Sequence, residues 1–96
     1  MNNSMRRTVR FTDLDRNGHM NNTRYFDWMC DLVPSSFHRE HPIKEMTICY
    51  LSEAREGQTL DMHWEIDEHS TFQVEGHRLE SDGSENRVFA AKVLYE

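Results

Sequence analysis

The chain has 96 residues, of which 36% are hydrophobic, and its formal net charge is -6. This length gives one domain, residues 1–96, with a small core, and the acidic balance argues against nucleic acid or an anionic membrane surface as a partner, because both require clustered Lys and Arg. Two cysteines and the lack of a long apolar run predict a cytoplasmic protein that does not cross a membrane.

A strand and a polar loop are predicted at the start of the chain. Residues 7–12 alternate apolar and polar side chains, which is typical of a half-buried strand. Residues 13–22 read D-L-D-R-N-G-H-M-N-N, and most of these side chains compete with regular structure by hydrogen-bonding to nearby backbone groups. We therefore expect a loop with an unusual density of reactive and polar groups.

A buried helix is predicted to follow this loop. Asn21 and Asn22 are both suited to cap it, and we expect the side chain of Asn22 to serve as a cap. Only Arg24, Asp27 and Asp31 form a polar line along the helix, which Pro34 ends. So narrow a polar stripe indicates a helix wrapped by other structure. Residues 35–42 are predicted to be a polar connection.

The second half of the chain has the two-residue period of β-strands. Four strands are predicted, at residues 43–51, 59–67, 71–80 and 86–95, with turns between them. Together with the first strand they give an α+β domain in which an antiparallel sheet of about five strands wraps around one central helix. This order of elements is that of the hotdog fold.

The sequence does not predict a metal site. Residues 13–18 match the opening of an EF-hand calcium loop, but the twelfth position, where a carboxylate is required, is Arg24. The six histidines show no spacing typical of a metal site, and most are expected in the connection, on the sheet or in turns: His38, His41, His63, His69 and His77. No cofactor is expected either.

The loop before the helix is suited to acyl-transfer chemistry. A helix N-terminus carries free N–H groups and the positive end of the dipole, so the backbone N–H of Asn22 can stabilise an oxyanion. Asp15, Asn17 and His19 alternate just before it and can supply a carboxylate, an amide and an imidazole. The competing interpretation is structural, because Asp, Asn and Gly are also the common residues of turns.

Two segments resemble a known enzyme family. Residues 9–28, V-R-F-T-D-L-D-R-N-G-H-M-N-N-T-R-Y-F-D-W, resemble the D-x-D-x-N-x-H-x-N-N-x-x-Y-x-x-W motif of acyl-acyl-carrier-protein (acyl-ACP) thioesterases. Residues 48–57, I-C-Y-L-S-E-A-R-E-G, are similar to the family segment in which a Glu follows a Tyr by three residues. The resemblance implies that Asp15, Asn17, His19 and Glu53 are catalytic. Shorter relatives of the motif occur in acyl-CoA thioesterases.

The chain departs from the family pattern at two points. Plant members carry a Cys directly after the Glu, whereas this chain has Ala54, so a thiol nucleophile at that position is excluded. Family members usually have two tandem hotdog domains, and the resemblance covers the second one, which carries the motif. The sequence therefore corresponds to that catalytic unit, either as a fragment or as a stand-alone form.

The expected function is hydrolysis of a fatty acyl thioester to a free fatty acid, without metal or cofactor. The acyl pocket is expected on the apolar side of the helix, at Phe26, Trp28, Met29 and Leu32. The carrier is expected to be acyl carrier protein, with coenzyme A as the alternative; Arg6, Arg7 and Arg10 are the clustered cations available for an acidic partner. A homodimer is expected to cover the open sheet edge. The alternative function is a non-catalytic module that binds acyl chains or a partner domain.

Overall fold

The computed structural model describes residues 3–96 and shows one five-stranded antiparallel sheet accompanied by two short α-helices. The strands are β1 (Asn3–Thr8), β2 (Ile43–Tyr50), β3 (Thr59–Ile66), β4 (Thr71–Leu79) and β5 (Glu85–Tyr95). The helices are α1 (Asn22–Cys30) and α2 (Ser35–Glu40), and a short 3-10 helix spans Phe11–Asp13. In the part of the chain that is described, no helix is long and apolar enough to cross a membrane.

The sheet has the order β1-β3-β4-β5-β2, so β1 and β2 are its edges. All neighbouring strands are antiparallel. Strand alternation gives the sheet an apolar inner face and a polar outer face. In β3, for example, Leu60 and Met62 are completely buried, whereas the side chain of His63 is 33% exposed.

Helix α1 packs on the inner face of the sheet. Its buried residues are Tyr25, Trp28 and Met29, and the ring of Tyr25 lies 4.8 Å from that of Phe89 in β5. The guanidinium of Arg7 lies over the Trp28 ring, 4.6 Å from its centroid, and closes the other side. These contacts fix the N-terminus of α1 against the sheet and thereby fix the loop that leads into it.

The cap of α1 differs from the prediction. The side chain of Asn21 accepts a hydrogen bond from the backbone N–H of Thr23 at 2.9 Å, so Asn21 is the N-cap and Asn22 is the first helical residue. The helix also ends at Cys30, before Pro34, and residues 31–33 form a turn. Capping by Asn22 was therefore wrong, whereas the start of the helix was right to within a residue.

The first strand lies earlier than predicted. Strand β1 ends at Thr8, and Phe11, predicted to lie within the strand, is 75% exposed. The chain turns here because the buried carboxylate of Asp13 accepts a hydrogen bond from the backbone N–H of Arg10 at 2.9 Å, which holds a 3-10 turn. Local side-chain to backbone bonding thus replaces the strand that residues 7–12 predict.

The connection after Pro34 is also more ordered than predicted, because it contains α2. One aromatic side chain anchors this helix: the ring of Phe37 meets Tyr95 edge-on at 4.9 Å and stacks on His41 at 4.3 Å. His38 Nε2 lies 2.8 Å from the backbone oxygen of Cys30 and ties α2 to the end of α1. A helix of six residues with one apolar side chain has too little periodicity to be predicted from sequence.

Candidate functional site

Asp15 forms a tight turn in the loop before α1. Its Oδ1 accepts hydrogen bonds from the backbone N–H groups of Asn17 at 2.9 Å and His19 at 3.2 Å. The backbone N–H of Asp15 also donates to the carbonyl of His19 at 2.8 Å. Gly18 has a positive φ of 77°, which a residue without Cβ adopts at low cost. The turn presents Asp15, Asn17 and His19 from one short segment.

The turn between β3 and β4 repeats this geometry. There Asp67 Oδ1 accepts from the N–H groups of His69 at 2.8 Å and Thr71 at 3.0 Å, and the N–H of Asp67 donates to the carbonyl of Thr71 at 3.0 Å. Ser70, with a φ of 60°, occupies the place that Gly18 has in the first turn. The hydrogen bonds from backbone N–H groups to Asp15 therefore do not distinguish it from Asp67. A functional role of Asp15 must rest on the residues around it.

Those surroundings include Glu53, which follows β2. The N–H of Met20 donates to the carbonyl of Ala54 at 2.8 Å, and this bond joins the loop to the segment after β2. As a result His19 Nε2 lies 3.3 Å from Glu53 Oε2. Arg78 of β4 donates to the backbone carbonyl of Glu53 and holds the segment in place. The result is an imidazole and a carboxylate in contact and open to water, which is an arrangement able to hold and pass a proton.

A cavity of about 400 Å³ lies between the loop, the start of α1 and the end of β2. The N–H of Asn22 is among the first of α1 and has no intrahelical partner, and Tyr50 donates to the carbonyl of Asn22 at 3.4 Å. The cavity is lined by Asp15, Asn17, His19, Met20, Asn22, Tyr25, Tyr50, Leu51, Ser52 and Glu53. It therefore combines carboxylates, an imidazole, an amide and a helix N-terminus with an apolar wall.

The phenol of Tyr25 stays neutral in this cavity. Burial raises the pKa of Tyr25 to about 12, against the smaller opposing effect of the positive charge of Arg78. At neutral pH the group is thus a hydrogen-bond donor without charge. The neutral phenol and the apolar lining residues therefore add an uncharged surface to the cavity.

The structure brings all five polar residues predicted for the site to this one cavity. Asp15, Asn17, His19 and Glu53 line it together with Asn22, although Glu53 is 34 positions away from His19 in sequence. Their catalytic roles stay predictions. Tyr25 and Tyr50 line the cavity but were not predicted to do so. Both occupy tyrosine positions of the two family-like segments, which could have identified them.

The four residues predicted for the acyl pocket do not line this cavity. Trp28, Met29 and Leu32 belong to the buried core, and Phe26 is half-buried on α1. The apolar wall of the cavity comes instead from other side chains, namely Met20, Tyr25, Tyr50 and Leu51. Helical periodicity identified the residues that α1 buries, but burial in the core and contact with a ligand give the same pattern.

Neither cysteine is placed to act at the cavity. Cys30 lies at the end of α1, where burial and then the charges of Asp27 and Asp31 raise the pKa of its thiol. Cys49 is exposed in β2 and does not line the cavity. Ala54 is buried at the position where the resemblance places a plant cysteine. Neither thiol is therefore a nucleophile at this cavity.

The structure also shows how the first and twelfth positions of the candidate calcium loop, residues 13–24, are arranged. Asp13, at the first position of the candidate loop, is only 4% exposed and accepts a hydrogen bond from the backbone of Arg10. Its other oxygen lies 3.4 Å from Nε of Arg24, the residue at the twelfth position. The first and twelfth positions are therefore joined as an ion pair, which leaves Asp13 occupied by a fixed cation.

The predicted basic cluster lines a separate cavity of about 600 Å³. Arg6, Arg7 and Arg10 are joined there by Arg24. Arg7 and Arg24 are paired with carboxylates, since Arg7 Nη1 lies 3.1 Å from Asp31 and Arg24 Nη1 lies 3.0 Å from an aspartate one turn along α1. Within residues 3–96, no carboxylate oxygen lies within 4.0 Å of the Arg10 guanidinium. Arg10 is thus the cation of this cluster most available to an acidic partner.

Two of the histidines are close neighbours in the structure, although the sequence showed no spacing that pairs them. His63 and His77 lie together on the outer face of the sheet, with ring centroids 5.2 Å apart, and Glu85 is beside them. A cross-strand pair of this kind has no sequence spacing that identifies it. These residues are not part of the cavity lining around Asp15.

Comparisons with known proteins agree on one family. The family model described as acyl-ACP thioesterase C-terminal domain matches residues 1–95. The curated chloroplastic dodecanoyl-acyl-carrier-protein hydrolase of Cinnamomum camphora is 46% identical over 46 residues. That match covers 48% of this chain and 12% of the hydrolase, so the chain spans only a small part of its curated relative.

Solved structures confirm the hotdog architecture. An acyl-ACP thioesterase from Bacteroides thetaiotaomicron superposes with a TM-score of 0.84 and 29% identity, over 96% of this chain and 36% of that one. The 4-hydroxybenzoyl CoA thioesterase of Pseudomonas sp. strain CBS-3 superposes with a TM-score of 0.75 over 96% of this chain and 81% of that one. Its identity is 16%, so this second likeness concerns the fold alone.

Proposed function

Because this chain belongs to the family of acyl-ACP thioesterase C-terminal domains, we propose that it hydrolyses fatty acyl thioesters and releases free fatty acid. One observation carries the proposal: the contact of His19 with Glu53 at 3.3 Å, in a cavity that also holds Asp15, Asn17 and the N-terminus of α1. The acyl group would be a fatty chain, since each CH₂ buried against an apolar wall contributes about 0.8 kcal/mol. The proposed location, the cytoplasm, rests on the sequence alone.

The proposed chemistry needs no metal, because a thioester is already an activated acyl donor. The thioester carbonyl binds at the N–H of Asn22, where the dipole of α1 stabilises the developing oxyanion. Glu53 activates a water molecule, and His19, in contact with Glu53, orients it and shares the proton. Asp15 either attacks the carbonyl itself or, with Asn17, holds the network in place. Both roles for Asp15 require its ionised carboxylate.

Turnover tests the proposal directly. The untagged chain is assayed on acyl thioesters of several chain lengths, beside Asp15→Ala and Glu53→Gln. Loss of a catalytic carboxylate is expected to reduce kcat by about 10²–10⁴-fold, the usual contribution of such a group. The runner-up function, a module that binds acyl chains or a partner domain without turnover, predicts instead the same background rate for wild type and both variants.

The carrier is proposed to be acyl carrier protein, an acidic protein, with coenzyme A as the alternative. Support comes from the cluster of Arg6, Arg7 and Arg10, which offers a local positive surface on a chain of net charge -6. The same acyl group is presented on both carriers, to wild type and to the double variant Arg7→Glu/Arg10→Glu. A lower kcat/KM for the carrier-protein substrate alone supports docking at the cluster.

The outcome against this carrier is equally clear. A preference for coenzyme A thioesters, with no effect of charge reversal, removes the carrier-protein assignment and leaves thioester hydrolysis intact. Because Arg7 also covers Trp28, the single variant Arg10→Glu is included, and circular dichroism monitors the fold. Arg10 has no carboxylate partner within residues 3–96, so its reversal breaks no described ion pair.

A homodimer is proposed because β2 is an open edge with apolar side chains exposed. Seven of the eight residues of β2 are exposed, and among them Met46 is 40% and Tyr50 47% exposed. Leu51, just after the strand, is 48% exposed. An unpaired edge of this kind is normally covered, and a second copy pairing along β2 would also close the acyl site between subunits. Analytical ultracentrifugation tests this: an active, strictly monomeric species contradicts it.

A further inference from the structure

We infer that the outer face of the sheet holds a binding site for a divalent transition metal of the zinc type, with His63, His77 and Glu85 as ligands. The three residues come from the neighbouring strands β3, β4 and β5. In the sheet register Asp61 faces His77 and Leu79 faces Glu85, so the three side chains follow one diagonal across the polar face. The site is separate from the cavity around Asp15.

The distances suit a small cation. One donor atom from each of the three residues lies within 4.8 Å of the others, and His77 Nδ1 is 3.4 Å from Glu85 Oε2. Tetrahedral Zn²⁺, with bonds of about 2.0–2.2 Å, places its ligand atoms about 3.3 Å apart. One ligand pair therefore already has the required separation, and side-chain rotation closes the others. The side chains are 33%, 23% and 41% exposed, so the site opens to solvent.

The groups behind the ligands orient them as in known metal sites. Glu75 Oε2 lies 3.4 Å from His77 Nε2, whereas Glu85 faces Nδ1, so Glu75 is placed to accept a hydrogen bond from Nε2–H. A carboxylate that binds the second nitrogen of a ligating histidine fixes the tautomer and leaves the other lone pair free for the metal. Arg87 donates to Glu75 at 3.0 Å and fixes that carboxylate in turn.

The ligand types select the class of metal. Two imidazoles and one carboxylate suit Zn²⁺ and its neighbours, whereas Ca²⁺ and Mg²⁺ prefer an all-oxygen set. A second carboxylate, Asp61 Oδ2, lies 3.5 Å from His63 Nε2 and adds negative charge beside the site. Three protein ligands leave the fourth position for water. Bound metal would join the three central strands of the sheet and stabilise the fold.

The competing explanation is a plain network of hydrogen bonds between histidine and carboxylate side chains. It predicts no stabilisation by metal. To distinguish the two explanations, the untagged, chelator-treated chain is titrated with ZnCl₂ in isothermal calorimetry, and its thermal unfolding is measured at increasing ZnCl₂. MgCl₂ is the reference cation in both experiments. The expected result is saturable binding of one Zn²⁺ per chain. At a free Zn²⁺ concentration one hundred times Kd, the melting temperature rises by roughly 11–22 °C.

Variants assign the site. His77→Gln and Glu85→Gln are expected to weaken Zn²⁺ binding at least about tenfold, the lower range for loss of a metal-site group. His69→Gln is the matched control, because His69 lies in an exposed turn, with its side chain 79% exposed, and among residues 3–96 its ring pairs only with its neighbour Glu68. Glu85 is exposed at the start of β5, so its substitution leaves the core intact.

Four results would overturn the inference. The first three are the absence of saturable Zn²⁺ binding, binding that survives in both His77→Gln and Glu85→Gln, and an equal loss in His69→Gln. The fourth is loss of binding in His19→Gln alone, which would place the metal in the Asp15 cavity. None of these results depends on thioesterase activity, so the test is independent of the proposed function.

Discussion

Gly76 in β4 has a consequence for both stability and the site. Gly76 faces Phe89 of β5, and a Cβ built on Gly76 would lie 2.2 Å from Cε1 and 2.6 Å from Cδ1 of that ring. Phe89 is completely buried, so its ring has no open space to move into. The ring of Tyr25, which lines the cavity, lies 4.8 Å from that of Phe89. Gly76→Ala is therefore expected to strain the packing of Phe89 and to disturb its contact with Tyr25.

The expected loss of stability in Gly76→Ala follows from overpacking of the core. Forcing one methyl group into a filled core costs about 1–3 kcal/mol, and the lower chain entropy of Ala relative to Gly offsets about 0.4–1 kcal/mol of that. The midpoints of these two ranges leave a net loss of about 1.3 kcal/mol, which lowers the melting temperature of a domain this size by roughly 5–10 °C. Urea unfolding measures the loss as a lower midpoint at unchanged slope, and a raised KM reports the shift of Tyr25.

A double variant separates this mechanism from a general effect of Ala. In Gly76→Ala/Phe89→Leu the smaller side chain makes room, so the combined loss of stability is expected to be smaller than the sum of the single losses by at least about 0.5 kcal/mol. An unchanged or higher urea midpoint in Gly76→Ala would refute the reasoning. Strict additivity in the double variant would also refute it, because the methyl group and the ring would then not be in contact.

Three further predictions concern the loop, the thiols and a tyrosine. Asp13→Ala should lower the free energy of unfolding by about 1–3 kcal/mol in urea, because it leaves Nε of Arg24 and the backbone N–H of Arg10 without this acceptor; an unchanged midpoint contradicts this. Iodoacetamide should label the exposed Cys49 rapidly and Cys30 slowly, while turnover and fold are preserved. Peptide mass spectrometry measures the labelling, and rapid loss of activity without unfolding would argue for a thiol mechanism. Between pH 10 and 12 the unfolded chain ionises Tyr25 while the folded chain does not, so stability should fall over that range, and less steeply in Tyr25→Phe; equal slopes would contradict the raised pKa.

The strands and the start of the helix were predictable because their signals are local. Strands β2 to β5 match the predicted ranges to within a residue at each end, since alternation persists over eight or more positions. The first strand and α2 were not predicted correctly for a physical reason. The carboxylate of Asp13 turns the chain by binding backbone, and one aromatic contact of Phe37 holds α2, and neither effect has a period.

The site was predictable in its composition and only partly in its geometry. Asp15, Asn17 and His19 occur in one segment, so their proximity follows from sequence, whereas the contact of His19 with Glu53 needs the pairing of the loop with the segment after β2. The acyl-pocket prediction did not identify the wall of the cavity, because apolar periodicity does not distinguish core from ligand contact. The cross-strand neighbours His63 and His77 could not be found without the sheet register.

The central claim is that Asp15 acts in chemistry and does not only hold a turn. Asp67 provides the matched control, since it makes the same backbone hydrogen bonds in a turn that lacks the cavity. An Asn side chain keeps the accepting oxygen and removes the charge, so Asp15→Asn and Asp67→Asn change the two turns alike. The decisive measurement is kcat for acyl-thioester hydrolysis by the two variants. Their melting temperatures are compared as well, so that a difference in kcat is not due to a difference in stability. We predict a loss of at least about 100-fold in Asp15→Asn and none in Asp67→Asn. Wild-type kcat in Asp15→Asn, or an equal loss in both variants, would contradict the account.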